Sequence, residues 1–336
     1  MSSDSDRANR LVWGSRDVVE LFLRRQGFSS DAEAHVMRRV ATAAKDQPIL
    51  DVGVGGGRTT PFLRAVSTDY VGIDFIEALV DATRHRYPGA RVEHMDARNL
   101  SRLGDEVFAL VVFSRNGIDG VSHADRPRVF NELHRVLRPG GLLAYSTHNL
   151  DYRSPGRMRR HFDPRPLIKR PGYAARRITR LPRTIWEYRR LRALSARGEG
   201  WATVVSLGYG RPVIWHRVTF AESVRELRDS GFTTVELFGP GGLIATVDAA
   251  STSLHAAAQA VDTCGWPTLH LVAHKGHPEL PADARHGPAA TKALIAELAS
   301  GFASEERRRP GGAADDAHLK TLGPDGHSAV ARPWRC

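Results

Sequence analysis

One stretch leaves the chain few choices of fold: from Pro48 to Thr60 it reads P-I-L-D-V-G-V-G-G-G-R-T-T. A short apolar run bounded by turn formers predicts a buried parallel strand over 48–52. Gly53, Gly55, Gly56 and Gly57 follow. Without Cβ atoms they let the backbone turn sharply and let a ligand lie directly on the main chain. Arg58 to Val66 predicts a helix with Thr59, Thr60 and Pro61 in its first turn, so that unpaired N–H groups point back at the ligand. Strand, glycine turn and helix make half of a nucleotide-binding unit.

Spacing then selects among nucleotides. A pyrophosphate fingerprint needs G-x-G-x-x-G, but Arg58 stands where its last glycine belongs. The order is instead D-x-G-x-G-x-G through Asp51, Gly53, Gly55 and Gly57. An acid on the strand itself suits a ligand that carries an ammonium group. In this the chain resembles the class I S-adenosylmethionine-dependent methyltransferases, whose first motif has this form. The resemblance implies a Rossmann-like, doubly wound α/β fold with seven mostly parallel strands and helices on both faces. It also implies S-adenosylmethionine as cofactor, held here by Asp51, Gly53, Val54, Gly55 and Gly57.

Further segments extend the pattern in order. Tyr70 to Asp74 predicts the second strand, and Asp74 follows Gly55 at about the 20-residue offset at which an acid reaches ribose hydroxyls in this topology. Phe75 beside it belongs to the same set. Arg91 to His94 predicts a third strand, and the resemblance assigns Asp96 and Ala97 after it to the adenine. Val107 to Phe113 is a continuous apolar strand followed by polar residues, outside the carboxyl end where such sheets bind ligands. Of these, Ser114 is assigned to the cofactor, and Asn116 and Asp119 to the substrate. The run L-H-R-V-L-R-P-G-G-L-L-A-Y resembles the family's fourth helix and fifth strand. Helices over 219–230 and 251–261, a sixth strand over 233–238 and a last, antiparallel strand over 268–274 complete the expected core.

Before the motif, Arg16 to Gln26 and Asp31 to Lys45 have helical spacing, with Ser30 or Asp31 to cap the second. They either cover the site or only pack on the sheet. The first ten residues are polar and expected to be disordered. The net charge of +11 is concentrated: 152–200 holds fifteen Lys and Arg against three acids, leaving thirty-three against thirty-four elsewhere. A basic helical insert is therefore expected between the fifth strand and the next helix. It could meet a membrane surface over 152–200, touch phosphates, or cap a pocket for an acidic substrate. The resulting division is 1–46 as a helical cap, 47–151 as cofactor-binding core, 152–215 as insert, 216–276 as completion of the core, and 277–336 as a C-terminal helix and disordered tail. With two cysteines and no apolar signal core at the start, a cytoplasmic setting is the expectation.

Methyl transfer from a sulfonium needs positioning above all, and a general base only for a protonated hydroxyl. His148, at the end of the fifth strand, is the expected base. His123, Asn149 and His216 join Asn116 and Asp119 as substrate contacts. Asp119 and His123 stand four apart, but Gly120 lies between them and no second cluster accompanies them, so no metal is expected. The expected function is methylation of an oxygen or nitrogen of a small molecule, in secondary-metabolite or glycan tailoring. The run S-T-H-N-L before a long insert also resembles the ubiquinone-pathway O-methyltransferases, which keeps a lipophilic quinone-like substrate at a membrane surface open. An RNA methyltransferase is disfavoured by the few aromatics interleaved in the basic stretch, and a binding protein without turnover stays open.

Overall fold

The computed structural model describes residues 4–152, 171–208, 211–249, 261 and 263–276. Its centre is an eight-stranded sheet ordered β10-β9-β11-β5-β4-β1-β2-β3. These strands are β1 (Ile49–Val52), β2 (Tyr70–Asp74), β3 (Arg91–His94), β4 (Phe108–Phe113), β5 (Leu137–His148), β9 (Thr234–Gly239), β10 (Gly242–Asp248) and β11 (Thr268–His274). β1 to β5 pair in parallel, whereas β11 runs antiparallel between β5 and β9. β1 and β4 are buried at every position, as expected of central strands covered on both faces. The strand order reverses between β1 and β4, and that switch point puts the ligand crevice at their carboxyl ends.

Helices α4 (Thr60–Val66), α5 (Glu77–Arg86) and α6 (Arg126–Val136) link the parallel strands, and α8 (Phe220–Asp229) leads into β9. Their apolar stripes build the core: Val129, Phe130 and Leu133 from α6 meet Val224 and Leu227 from α8 in one buried cluster. The sheet has one strand more than the seven expected. The addition is β10, which returns from β9 through the glycine-rich turn at 239–242 and forms the outer edge.

Two other expectations are corrected. The N-terminal residues, read as disordered, form α1 (Asp4–Trp13). Their polarity misleads because one polar side chain acts as a backbone substitute: Asn9 donates to Ile214 O at 2.9 Å and accepts from Ile214 N at 3.1 Å. The insert, read as helical, contains α7 (Pro171–Arg192), with Pro182 inside it, and then a three-stranded antiparallel sheet. That sheet comprises β6 (Arg197–Gly198), β7 (Trp201–Gly208) and β8 (Arg211–Val218). β8 is buried on both faces, Val213 on one and His216 on the other. The expected helix over 251–261, except its last position, and everything from 277 onward lie outside the described residues, as do 153–170 of the insert. No helix among the described residues is long and apolar enough to cross a membrane.

α2 (Arg16–Leu23) and α3 (Asp31–Ala43) settle what the residues before β1 do. α3 packs across β9, β10 and β11, while α1 and α2 bring Asp6, Trp13, Phe22 and Arg25 to the wall of a cavity above the glycine turn. They therefore cover the crevice as well as the sheet.

Candidate active site

The glycine turn takes up the left-handed backbone that its residues permit: φ is +67° at Gly53, +57° at Gly55 and +74° at Gly57. The turn is fixed from both sides. Thr83 Oγ1 donates to Gly55 O at 2.6 Å, and Arg86 bridges Gly56 O at 2.9 Å and Leu23 O at 2.7 Å. The end of α2 presses so closely that a Cβ on Gly56 would lie 2.6 Å from the carbonyl carbon and oxygen of Phe22. We expect Gly56→Ala to lower stability by about 1–3 kcal/mol, since the opposing group is backbone and must shift as a unit. A thermal midpoint equal to that of the parent would show that α2 is not seated on the turn.

Asp74 ends β2 and faces the same cavity. Its Oδ2 accepts from Gly55 N and its Oδ1 from Ile76 N, each at 2.9 Å, so both oxygens are aimed and each keeps a lone pair for a diol. Burial raises its pKa to about 6 against the opposing effect of those two N–H groups. Asp51 stands behind the turn and not on the cavity wall. Tyr70 Oη and Thr59 Oγ1 donate to its Oδ2 at 2.9 and 3.2 Å, while its buried Oδ1 has no partner. Burial pushes its pKa up to about 7 despite the two hydroxyls. Gly53, Val54 and Gly55 line the cavity, and so do Phe75, Ala97 and Ser114. Gly57 does not appear among the lining residues and acts through the shape of the turn.

Asp96 also lines this cavity, but with a partner that the sequence did not suggest. Arg98 holds its carboxylate through Nε at 3.0 Å and Nη2 at 2.7 Å, and also pairs with Asp6 of α1 and with Asp125. Burial works to raise the pKa of Asp96, and Arg98 more than reverses it. Arg58, the residue that broke the pyrophosphate fingerprint, has an analogous task. It clamps Glu33 of α3 with two contacts at 2.9 and 2.6 Å and reaches Gly27 O and Ser114 Oγ. Arg58 thus fastens α3 to the glycine turn, and Arg98 fastens α1 to the segment after β3.

A second cavity adjoins the first and shares Arg115, Asn116 and Trp215 with it. Arg115 and Asn116 both have positive φ, +53° and +58°, so the chain turns sharply out of β4 at the junction. Asn116 N donates to Ser146 Oγ at 2.9 Å. His148 lines the second cavity, and its Nδ1 lies 2.6 Å from Asp119 Oδ2.

The structure brings Asn116 and His148 together and removes the other expected substrate contacts from the cavity walls. Asp119 is buried behind His148, accepting from His148 N at 2.6 Å and Thr147 Oγ1 at 2.5 Å, with Arg126 on its far side. Asn149 is consumed by backbone: its Nδ2 donates to Thr263 O at 2.7 Å and Trp266 O at 3.0 Å. His123 Nδ1 meets His216 Nε2 at 3.1 Å, and the His123 ring stacks on Trp201 at 3.6 Å between centroids. Burial drives the pKa of His216 down to about 2, so this pair is neutral packing between the insert sheet and the turn before α6. What the sequence reading missed are Ser30, His270, Trp215 and Trp266, which also line the second cavity. They come from four separate segments with no shared motif.

The first cavity therefore suits a ligand with a diol, a planar base and a cationic group, and the second places a carboxylate-backed imidazole beside it. The family described as methyltransferase domain matches residues 49–141. A probable S-adenosylmethionine-dependent methyltransferase of Mycobacterium tuberculosis is 35% identical over 159 residues, 46% of this chain and 55% of that relative. Another, of Mycolicibacterium smegmatis, is 32% identical over 123 residues, 36% of this chain and 46% of that relative. The matches thus span about half the length of these relatives. Among solved structures, a 1,6-didemethyltoxoflavin-N1-methyltransferase of Burkholderia thailandensis is similar at 13% identity, covering 82% of this chain and 92% of its own, with a TM-score of 0.47.

Proposed function

We propose that this chain is a class I S-adenosylmethionine-dependent methyltransferase, a reading supported by the similarity of residues 49–141 to the methyltransferase domain, and that it methylates a hydroxyl oxygen of a small molecule held in the second cavity. The observation that carries the choice of oxygen is His148, on the wall of that cavity with Nδ1 committed to the buried Asp119. A nitrogen or carbon nucleophile has less need of such a base, whereas a hydroxyl protonated at working pH does need one.

The residues of the first cavity fit the cofactor. Asp74 would accept from the ribose hydroxyls, Ile76, Leu79 and Met95 offer an apolar wall to the adenine, and Asp96 lies where its amine would donate. When bound, S-adenosylmethionine supplies a methyl carbon already activated by a sulfonium. The chain's own contribution is arrangement. Asp119 accepts from Nδ1–H and leaves Nε2 as the basic nitrogen facing the cavity, ready to take the hydroxyl proton. α1 and α2 add Asp6, Trp13 and Phe22 to the wall of the first cavity, an apolar cover that would limit the water reaching the bound cofactor.

Titration gives one check on the cofactor site. Asp74 has a raised value, about 6, and must be ionised to accept from both ribose hydroxyls. Affinity for S-adenosylhomocysteine is therefore full above this value and falls as pH drops through it, by up to about tenfold per unit. Calorimetry from pH 8 to pH 5 should show that fall, and Asp74→Asn should bind weakly and flatten it. The reaction itself is tested with methyl-labelled cofactor and a panel of hydroxylated small molecules. Label in an O-methyl ether is the expected result, and label found only on nitrogen or carbon would sink the proposal.

A further inference from the structure

α1 is held through one stripe of side chains. Asp6, Asn9, Arg10 and Trp13 recur at i, i+3, i+4 and i+7 and so share a face of the helix. Arg10 Nη1 donates to Phe75 O at 3.0 Å, with its guanidinium carbon 4.8 Å from the centre of the Phe75 ring. Trp13 meets the same ring edge-on at 5.7 Å between centroids. Asn9 holds the backbone of Ile214, and Asp6 holds Arg98. Phe75 and Arg98 belong to the segments that follow β2 and β3, which are joined where Met95 N donates to Asp74 O at 3.0 Å. Three of the four anchors are polar, so directed contacts seat this helix more than an apolar face does.

Arg98 joins that helix to Asp96. On one side its Nε donates to Asp96 Oδ1 at 3.0 Å and to Oδ2 at 3.2 Å, Nη2 donates to Oδ2 at 2.7 Å, and the backbone N donates to Oδ1 at 3.0 Å. This fork fixes the plane of the carboxylate and leaves it acceptor capacity on Oδ2 for a further donor. On the other side Nη1 donates to Asp6 Oδ2 and, at 3.1 Å, to Asp125 Oδ2. A guanidinium is one rigid plane, so the direction in which Asp96 points and the direction in which Asp6 is held are set together. Asp6 is 4% exposed and has little water to replace that partner. Asp6, Asp96 and Arg98 all line the first cavity.

We infer that Arg98 is a positioning residue that makes the seating of α1 depend on the base of the cofactor: it aims Asp96 at the exocyclic amine of adenine, and the same guanidinium holds Asp6. This deepens the proposed function and rests on its assignment of the first cavity to S-adenosylmethionine. An amine that donates to Asp96 completes the set of donors around the carboxylate and pins the guanidinium behind it. Pairing with Asp6 then costs less further loss of freedom. A base with a carbonyl oxygen at the same position sets a lone pair against the carboxylate, which turns aside and takes the guanidinium with it. Coupling of this kind is reciprocal, so α1 seated through Asp6 also strengthens the hold on the amine.

The test uses the full chain and two probes, S-adenosylhomocysteine and S-inosylhomocysteine, which set an amine against a carbonyl at the exocyclic position of the base. Calorimetry should show the adenosyl compound binding about 10- to 100-fold more tightly, the weight of a hydrogen bond to a charged group. Arg98→Gln should reduce that preference to about threefold, the low end for a neutral hydrogen bond. Hydrogen exchange reads the helix directly. At equal saturation, the adenosyl compound should slow exchange of the α1 amides more than the inosyl compound does. Asp6→Asn leaves the fork on Asp96 intact, so it should lower the preference only in part and abolish the difference in protection. An arginine with a merely structural role would weaken both compounds alike in Arg98→Gln and keep their ratio. That result, or equal protection of α1 by both compounds in the parent protein, would overturn the inference. No binding of S-adenosylhomocysteine at all would overturn the cofactor reading and the inference with it, whereas tight binding without preference between the bases overturns the inference alone.

Discussion

His148→Gln should lower the turnover number for O-methylation by about 10²- to 10⁴-fold, the usual weight of a positioned general base, while leaving affinity for S-adenosylhomocysteine unchanged. The split follows from placement, because His148 lines the second cavity and does not line the first. Asp119→Asn should approach the same loss without removing the imidazole. Four donors converge on the Asp119 carboxylate: Thr147 Oγ1, His148 N, His148 Nδ1 and, more distantly, Arg126 Nη1. An amide can offer only one oxygen to them, and its NH₂ would favour the tautomer that presents Nδ1 as acceptor and leaves Nε2 protonated. Asp119 is thus a positioning residue, and a structural role alone would not give a loss confined to turnover. Steady-state kinetics on both variants, with calorimetry of the cofactor product, decides it. Parent-like turnover in folded His148→Gln would remove the base from the mechanism.

The cofactor side of this arrangement was largely legible in the sequence because its determinants are local. Strand, glycine turn and helix occupy one short run, and the spacing to Asp74 is set by a single strand–helix–strand unit, so Gly55 N meets Asp74 Oδ2 as that unit requires. Of the second cavity, only Asn116 and His148 were legible. Ser30 and His270 are 240 positions apart and meet because β11 is inserted antiparallel between β5 and β9. No periodicity near either residue announces that. Asp119 was legible as polar and near the site, but its direction was not. It turns inward toward Arg126 and away from solvent, and Arg126 is itself committed to Glu226, 100 positions further on. The strands of the insert were hidden by composition. The arginines of 152–200 drew a helical reading across a boundary beyond which Trp201 to Leu207 and Arg211 to Val218 have strand character, parted by the glycines at 208 and 210.

The second large effect expected is on stability. Arg126→Met should destabilise the fold by about 3–5 kcal/mol, the range for removing one partner from a buried ion pair. Arg126 is fully buried at the start of α6, with Nε and Nη2 on the two oxygens of Glu226 from α8 at 2.7 and 2.8 Å, and Nη1 3.4 Å from Asp119 Oδ1. Burial works against its charge, yet Glu226 and Asp119 hold it protonated. Without the guanidinium, two carboxylates with side chains 8% and 0% exposed face each other across an apolar replacement. Neither has water to turn to. The loss therefore reflects stranded charge more than a missing attraction, and this can be separated from lost packing. Arg126→Met combined with Glu226→Gln should recover part of the stability even though it removes more of the original interaction. Urea unfolding of the two single variants and the double variant measures the coupling. A cost for Arg126→Met below about 1 kcal/mol, the value for an exposed pair, would mean that water reaches this cluster. In that case Asp119 would lack the dry, fixed setting on which its hold on His148 depends.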